Sequence, residues 1–490
     1  LSLRSQPTDR ITIDWSGSFD RSIFDQLNTA SAASFADGDF VNFSGTDGTS
    51  TVDRSLISLR GEYEADIGTF ITNTSYLRVV LDQNNDTDES PFDIFFGTVD
   101  TLETSIAQEF RFESEPIDLP LAGETSFVVG TNFSFNSVET DTALIGGSDL
   151  AFPGFPVTGG TSTILGDQDI FNFGVFGDAR FKPTEKLELG VGLRFSRDVV
   201  SQVTEGEATG LFPLLGATPV LFDDEETFSA ITPRGSVKYN WTDDFSTFVS
   251  IATGYRPGGF NTSGLAAALT PTFEEENAIT FDGGFKSSWY DGRLIVNGSG
   301  FATIYNDIQV LSGVLTPTGI IAALDNAATA RSIGAEIGVR AEPVDGLRLL
   351  IDYGLSKATF TDFIDSNGND LTGTTLPNAP THTLGFSIEY ARSVFNDVAE
   401  GFIRWEHSFT SSFVTTLTVG GVSFDSRDIA NLRAGLRGER FETEVFVENL
   451  FDEVYANGTS AGAGSLLLGI DPPLDVGPPR MIGARARIKF

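Results

Sequence analysis

Apolar and polar positions alternate with a period of two along most of the chain, the pattern of strands that bury one face only. In LELGVGLRF, Leu187, Leu189, Val191, Leu193 and Phe195 fall on one side, and Glu188, Gly190, Gly192 and Arg194 on the other. In FSTFVSIATGY, Phe245, Thr247, Val249, Ile251 and Tyr255 oppose Ser246, Ser250, Ala252 and Gly254. At the end of the chain Ile482, Ala484, Ala486, Ile488 and Phe490 alternate with Gly483, Arg485, Arg487 and Lys489. The pattern predicts about nineteen strands of roughly 10 to 16 residues each, long enough to cross a bilayer at the usual tilt. No uncharged stretch reaches the ~18 apolar residues of a membrane helix. The longest candidate, Val310 to Leu324, is interrupted by Gly313, Pro317 and Gly319. Any crossing of a membrane is therefore by strands.

The connections alternate in length. Short polar turns fall at Gln6 to Asp9, Glu64 to Gly68, Lys182 to Lys186, Asn240 to Asp244, Tyr290 to Arg293 and Glu342 to Gly346, among others. Between them lie long segments rich in Gly, Asp, Asn and Thr: Asp20 to Thr51, Leu81 to Glu103, Ser137 to Gln168, Ser201 to Glu225, Pro257 to Glu274, Leu311 to Asn326, Phe363 to Pro380, Ser411 to Arg427 and Glu453 to Val476. Segregation of loops by length is the habit of outer-membrane barrels, with short turns on the periplasmic side and long loops outside. In hydrocarbon every amide must be paired, so antiparallel strands span only as a closed barrel. Aromatic residues sit beside the short turns, Tyr239 with Trp241 and Trp289 with Tyr290, as an interfacial girdle requires, and Trp15 and Trp405 lie further along strands. The fold class predicted is an all-β, transmembrane, antiparallel up-and-down β-barrel over residues 1–490. The odd strand count, and an opening run LSLRSQP that starts in mid-alternation without a signal peptide, read as an N-terminal truncation.

Composition narrows the function. With 68 acidic against 31 basic residues the net charge is −37, which excludes nucleic acid as a partner because a polyanion needs a basic stripe. The 43 Phe and 40% hydrophobic content mark a folded chain, not an acidic tail. There is no Cys, which removes disulfides, thiolate zinc sites and thiol nucleophiles.

Candidate chemistry is sparse. Only His382 and His407 are available for metal or acid–base work, and they are not spaced as helix ligands. No catalytic residue is assigned. Glu274, Glu275 and Glu276 read either as a cation site or as a solvated strand entrance. Asp82, Asn84, Asp86 and Asp88 in DQNNDTDES, and Asp365, Asn367, Asn369 and Asp370 in DSNGND, present hard oxygens at alternate positions, suited to a structural calcium ion in the outer loops or to plain Asp/Asn turns. No other cofactor is expected. Arg256, beside Tyr255, Phe260 and Asn261 on a long loop, combines charge, aromatic surface and hydrogen-bonding groups, and is the candidate contact cluster for a small-molecule ligand.

Three segments carry a family likeness. GYRPGGFN (Gly254 to Asn261) followed by Phe273 to Val310, with a Gly-x-Lys unit at Gly284 and Lys286, resembles the middle of the barrel in TonB-dependent outer-membrane receptors. VENLFDEVY is similar to the family signature before the last outer loop, here Asn449, Leu450, Phe451, Asp452 and Tyr455. Ile488 and the final Phe490 resemble the terminal signal read by the barrel-assembly machinery. The family's barrels have about 22 strands. They hold an N-terminal plug and TonB box, neither of which is expected within this sequence. The resemblance implies a receptor in the outer membrane of a Gram-negative bacterium, set among outer-membrane lipid and lipopolysaccharide. It would import a ferric siderophore or other iron complex, with energy drawn from the TonB complex through the missing N-terminal region. An oligosaccharide or cobalamin is the alternative cargo, and a passive diffusion porin the alternative function. The net negative charge disfavours anionic catechol complexes.

Overall fold

The computed structural model describes residues 1–25, 29–30, 48–86, 93–148, 159–215, 219–261, 272–316, 319–364, 368–415, 423–459 and 474–489. Nineteen strands follow one another in the main sheet. They are β1 (Ser2–Thr8), β2 (Ile11–Asp25), β3 (Thr49–Ala65), β4 (Gly68–Asp86), β5 (Phe95–Ser114) and β6 (Gly123–Gly146). Then come β7 (Thr161–Lys182), β8 (Leu187–Ala208), β9 (Val220–Thr242), β10 (Phe245–Arg256), β11 (Glu276–Trp289), β12 (Leu294–Thr316) and β13 (Gly319–Val344). The last are β14 (Leu347–Phe363), β15 (His382–Val394), β16 (Ala399–Thr410), β17 (Arg427–Gly438), β18 (Phe441–Glu448) and β19 (Met481–Ile488). With the three-residue Ile117–Leu119 the sheet has 20 strands. Each long strand pairs antiparallel with the next, an up-and-down meander. Among the described residues β1 pairs only with β2, and β19 only with β18.

The short turns stand where the sequence puts them. Between β11 and β12 the chain reverses through Tyr290, Asp291 and Gly292, all at positive φ. At Gly346 (φ 84°) a Cβ would lie 2.1 Å from the Ala391 carbonyl oxygen, so only glycine fits that reversal. On the other rim the strands run further than the periodicity predicts. β6, β7, β8 and β9 have 22 to 24 residues and β13 has 26. The expected loop from Leu311 to Asn326 is largely a ladder instead, with Leu311 opposite Leu324 and Thr316 opposite Gly319. The pairing continues through Val314 opposite Ile321 and Leu315 opposite Ile320, past the expected start of the loop.

The alternation sorts the two faces. Val191, Leu193, Ile231 and Val249 are 52–66% exposed, and they stand on the outward face with dozens of other large apolar side chains. A contiguous apolar belt of that size is made for hydrocarbon and not for water. Trp241, Trp289 and Tyr290 mark its edge at the short-turn rim. The buried clusters lie towards the long-loop rim instead. One joins Ile308, Val310, Ala330, Phe360 and Phe363; another joins Val200, Phe228 and Phe260.

Pro233 shapes that rim. It lacks an N–H, so it offers β10 no ladder donor, and the β9–β10 pairing stops at Arg234 and Ala252. The Thr253 hydroxyl donates to the Pro233 carbonyl (3.1 Å), and beyond it the chain leaves β9 and folds over β8.

Candidate functional site

The departure of β10 from β9 builds the outer mouth. The Tyr255 hydroxyl donates to the carboxylate of Asp198 on β8 (3.3 Å), which also accepts from Asn172 (2.7 Å). Phe260, 4% exposed, packs on Val200 and Phe228, with Tyr255 and Phe222 beside it. Asn261 clamps β13: its amide donates to the Leu324 carbonyl (2.9 Å), and its side-chain oxygen accepts from the Leu324 N–H (2.8 Å). Gly259 and Phe260 pair with Phe273 and Thr272, closing the segment. Of the four ligand candidates, Phe260 and Asn261 are thus buried in the packing that holds the mouth. Arg256 lies opposite Glu276 in the ladder, is exposed, and makes no hydrogen bond or ion pair among the described residues.

The acidic run at 274–276 is tied into the same mouth. Gln309 is 8% exposed; its backbone N–H donates to Glu276 (2.9 Å), and its side-chain amide donates to the carbonyls of Pro257 (2.8 Å) and Glu274 (3.0 Å). Asn326 accepts from the Glu274 N–H (2.6 Å) and donates back to the Glu274 carbonyl (2.8 Å). This is a strand entrance fixed by amides. Nothing in the alternation singles out Gln309, Asn326 or Asp198, because a long-range clamp leaves no local spacing.

The family-motif residues have structural duties. A Cβ on Gly284 would lie 2.3 Å from the Gly298 carbonyl oxygen of β12. Lys286 faces Asn297 across the same ladder. Asn449, 4% exposed, sits at φ 49°, a conformation that Asn tolerates better than most residues. Its amide donates to the carbonyls of Glu453 (2.8 Å) and Pro478 (3.1 Å), its side-chain oxygen accepts from the Glu453 N–H (2.8 Å), and its own N–H donates to Asn431 (2.9 Å). The Leu450 N–H donates to Ala430 (2.7 Å), Phe451 packs against Trp405, Asp452 pairs with Arg480 (3.2 Å), and Tyr455 lies under Arg427. Burial pushes the Tyr455 phenol upward. Ile488 is exposed on the outward face of β19, and Phe490 lies outside the described residues.

The lumenal face near the short turns carries an ionic lattice. Arg437 donates twice to Glu389 (2.9 and 3.0 Å), and Arg348 donates once to the same carboxylate (3.1 Å). Arg433 joins Glu406 (3.0 Å) and Glu448 (2.8 Å), and Arg485 joins Glu444 (3.2 Å). Arg437 also lies 3.8 Å from the ring centre of Phe402.

The remaining candidates do not converge. Asp82, Asn84 and Asp86 follow one another along β4, where alternate residues stand roughly 7 Å apart in a row. Asn84 there accepts from the Thr49 N–H (3.0 Å), and Asp88 lies outside the described residues, as do Asp365 and Asn367. The Thr372 hydroxyl and then its backbone N–H (3.0 Å) hydrogen-bond the Asp370 carboxylate and hold it below the usual range. Among the described residues no group of three or more His, Cys, Asp or Glu side chains is placed to hold a metal. His382 shares a hydrogen bond with Tyr353 (2.8 Å), and the Ser411 hydroxyl accepts from its backbone N–H, not from the ring. His407 pairs with Asp428 (2.6 Å). Neither ring meets a serine nucleophile among the described residues.

Comparison with known proteins gives one family model, TonB-dependent receptor-like β-barrel, which matches residues 2–450. The pesticin receptor of Yersinia enterocolitica is 26% identical over 332 residues, 64% of this chain and 43% of that protein. The chain thus spans less than half the length of the curated relatives it matches. Among solved structures, the ferric yersiniabactin uptake receptor from Yersinia pestis superposes with TM-score 0.77 at 18% identity, over 100% of this chain and 70% of that one. The siderophore receptor PiuA from Acinetobacter baumannii superposes with TM-score 0.75 at 15% identity, over 99% and 72%. A copper transporter superposes with TM-score 0.71 at 14% identity, over 100% and 71%. At these identities the superpositions speak for the fold alone.

Proposed function

This chain belongs to the family of TonB-dependent receptor-like β-barrels of the outer membrane, and from that premise we propose that it forms the wall and outer mouth of a receptor importing a ferric siderophore. The observation that carries this reading is the outer mouth. Arg256 is exposed and unpaired among the described residues, beside a Tyr255 whose hydroxyl is pinned by Asp198. An exposed, unpaired guanidinium suits the carboxylate or hydroxamate oxygens that siderophores wrap around iron, since Arg binds planar oxyanions in two-point fashion. The acidic surroundings favour complexes of low net charge over multiply charged catecholates. The ferric yersiniabactin uptake receptor, which shares this fold, is named for a cargo of that class. The barrel supplies no covalent chemistry. Energy would reach the cargo through TonB acting on a segment outside this sequence, and assembly would pass through the barrel-assembly machinery.

The test is uptake of radioactive iron by an iron-limited strain lacking the gene and complemented with it. Carboxylate, hydroxamate and catechol siderophores are offered in turn, with and without a functional TonB. One siderophore class is expected to depend on both genes, and Arg256→Gln to weaken its binding about tenfold, or ~1.4 kcal/mol. Uptake of every iron complex independent of the gene, or a growth defect restored by copper alone, overturns the reading.

A further inference from the structure

We propose that the outward face of β2 to β8 holds a binding site for the acyl tail of a phospholipid from the periplasmic leaflet. The inference rests on the outer-membrane placement of the barrel and not on its cargo. A trough of about 1070 Å³ crosses these strands, a volume just above the ~300–1,000 Å³ typical of ligand cavities. Its lining is almost wholly apolar.

Register explains the trough. Tyr63, Phe70, Phe112, Val129, Gly177 and Leu193 are successive cross-strand partners. The neighbouring row runs Gly61, Thr72, Phe110, Thr131, Val175 and Phe195. Within these rows Gly61, Thr72, Thr131 and Gly177 are low. Phe110 and Leu193, 51% and 54% exposed, stand up as rims, and Phe70 leans on Phe112 at 4.7 Å. The threonine hydroxyls are engaged, Thr131 donating to the Gly174 carbonyl (2.9 Å) and Thr72 accepting from Gln108 (2.8 Å). What remains facing the trough is methyl and aromatic carbon.

The direction of the trough selects the occupant. At β3 and β4 it opens beside the short turn, since Tyr63 is close to the strand end at Ala65 and Phe70 to the strand start at Gly68. At β8 it reaches Leu193, well inside a strand that begins at Leu187, and so near the middle of the ~10 residues that cross the hydrocarbon. Six partners spaced as in any sheet give a length of roughly 24 Å. A groove that starts at the interface, descends into hydrocarbon and is continuous with the lipid-facing belt fits a straight tail whose head stays at the rim. There the turn carries the Arg10–Asp66 pair (2.8 Å). Because short turns face the periplasm, the leaflet in question is the one that supplies glycerophospholipid.

The test is native mass spectrometry of the full-length protein released from nanodiscs of phosphatidylethanolamine and phosphatidylglycerol doped with lipopolysaccharide. One phospholipid is expected to stay bound after the bulk lipid is stripped. Gly177→Leu fills the floor, where the nearest atom to a new Cβ is Val129 Cγ1 at 3.7 Å, and is expected to lower the retained fraction at least tenfold. Val175→Phe fills the trough from its rim and is expected to do the same. Gly235→Leu, on the outward face of β9 with similar room (Ile251 Cγ2 at 3.8 Å), leaves retention unchanged. Heat-modifiable migration in all three establishes folding. Retention of lipopolysaccharide in place of phospholipid, no retention by the native protein, equal retention after both filling substitutions, or equal loss in the Gly235 variant overturns the site.

Discussion

Replacing Glu389 with Gln tests whether the lumenal ionic lattice ties the second half of the wall together. Glu389 is 6% exposed, and three guanidinium bonds of 2.9–3.1 Å converge on it from β14 and β17. The bond from Arg348, whose side chain is 55% exposed, contributes no more than a surface pair, about 0–1 kcal/mol. Those from Arg437 are stronger, because that side chain is 31% exposed and stacked on Phe402, leaving little room for water to replace the lost acceptor. A hydrogen bond to a charged group contributes about 1.5–3 kcal/mol, and a Gln amide at that position keeps one acceptor while turning a donor towards a guanidinium. The one bond from Arg348 and the two from Arg437 sum to about 3–7 kcal/mol, and because Gln keeps one acceptor the lower half applies, a loss of about 3–5 kcal/mol. The assay is reversible urea unfolding of the barrel in phospholipid vesicles, followed by tryptophan fluorescence. The double variant Glu389→Leu with Arg437→Met is expected to recover most of the loss, since the buried pair goes together and only the half-exposed Arg348 is left to water. A single variant within 0.5 kcal/mol of the native protein, or a double variant worse than the sum of its parts, refutes the argument.

Two further outcomes follow from the loops. Asn449→Ala strands the Glu453 and Pro478 groups and places a side chain without local hydrogen bonds at positive φ. It should cost about 2–4 kcal/mol and raise hydrogen exchange across 449–455, whereas Asn449→Gly recovers only the ~1 kcal/mol backbone part. Asp93, at the loop before β5, is held below the usual carboxylate range by the backbone N–H and hydroxyl of Ser148 (both 2.9 Å). Its folded value is depressed, so the tie is present above the unfolded carboxylate pKa of about 3.9 and is lost as pH falls through the lower folded value. Exchange at 145–148 should therefore rise only below about pH 4, and Asp93→Asn should abolish the pH dependence.

The wall was legible because alternation is a local property. Leu187 to Phe195 and Ile482 to Ile488 each declare their face within a few residues, and turns such as Asp345–Gly346 declare reversals. Strand length was less so. The Leu311–Asn326 segment looks like a loop by its Gly, Pro and Thr content, yet Leu311 stands opposite Leu324 and Leu315 opposite Ile320, a fact about partners and not about either run. The mouth was half legible. GYRPGGFN stood out as chemistry, but only the three-dimensional path shows that Pro233, far back on β9, turns it inward, and that Asn261 and Phe260 are spent on holding it while Arg256 stays open. The ionic lattice around Glu389 was hidden, because its members are scattered over six strands.

The 26 residues of β13 make a ribbon of roughly 86 Å, which at a tilt near 45° rises about 60 Å, twice the thickness of the hydrocarbon it crosses. Its tip therefore stands clear of the lipid head groups. A bulky visitor such as a phage fibre or an antibody would touch these hairpins well before reaching the pore, so selection by invaders would fall on the tips, and the entrance beneath could keep its shape while they change.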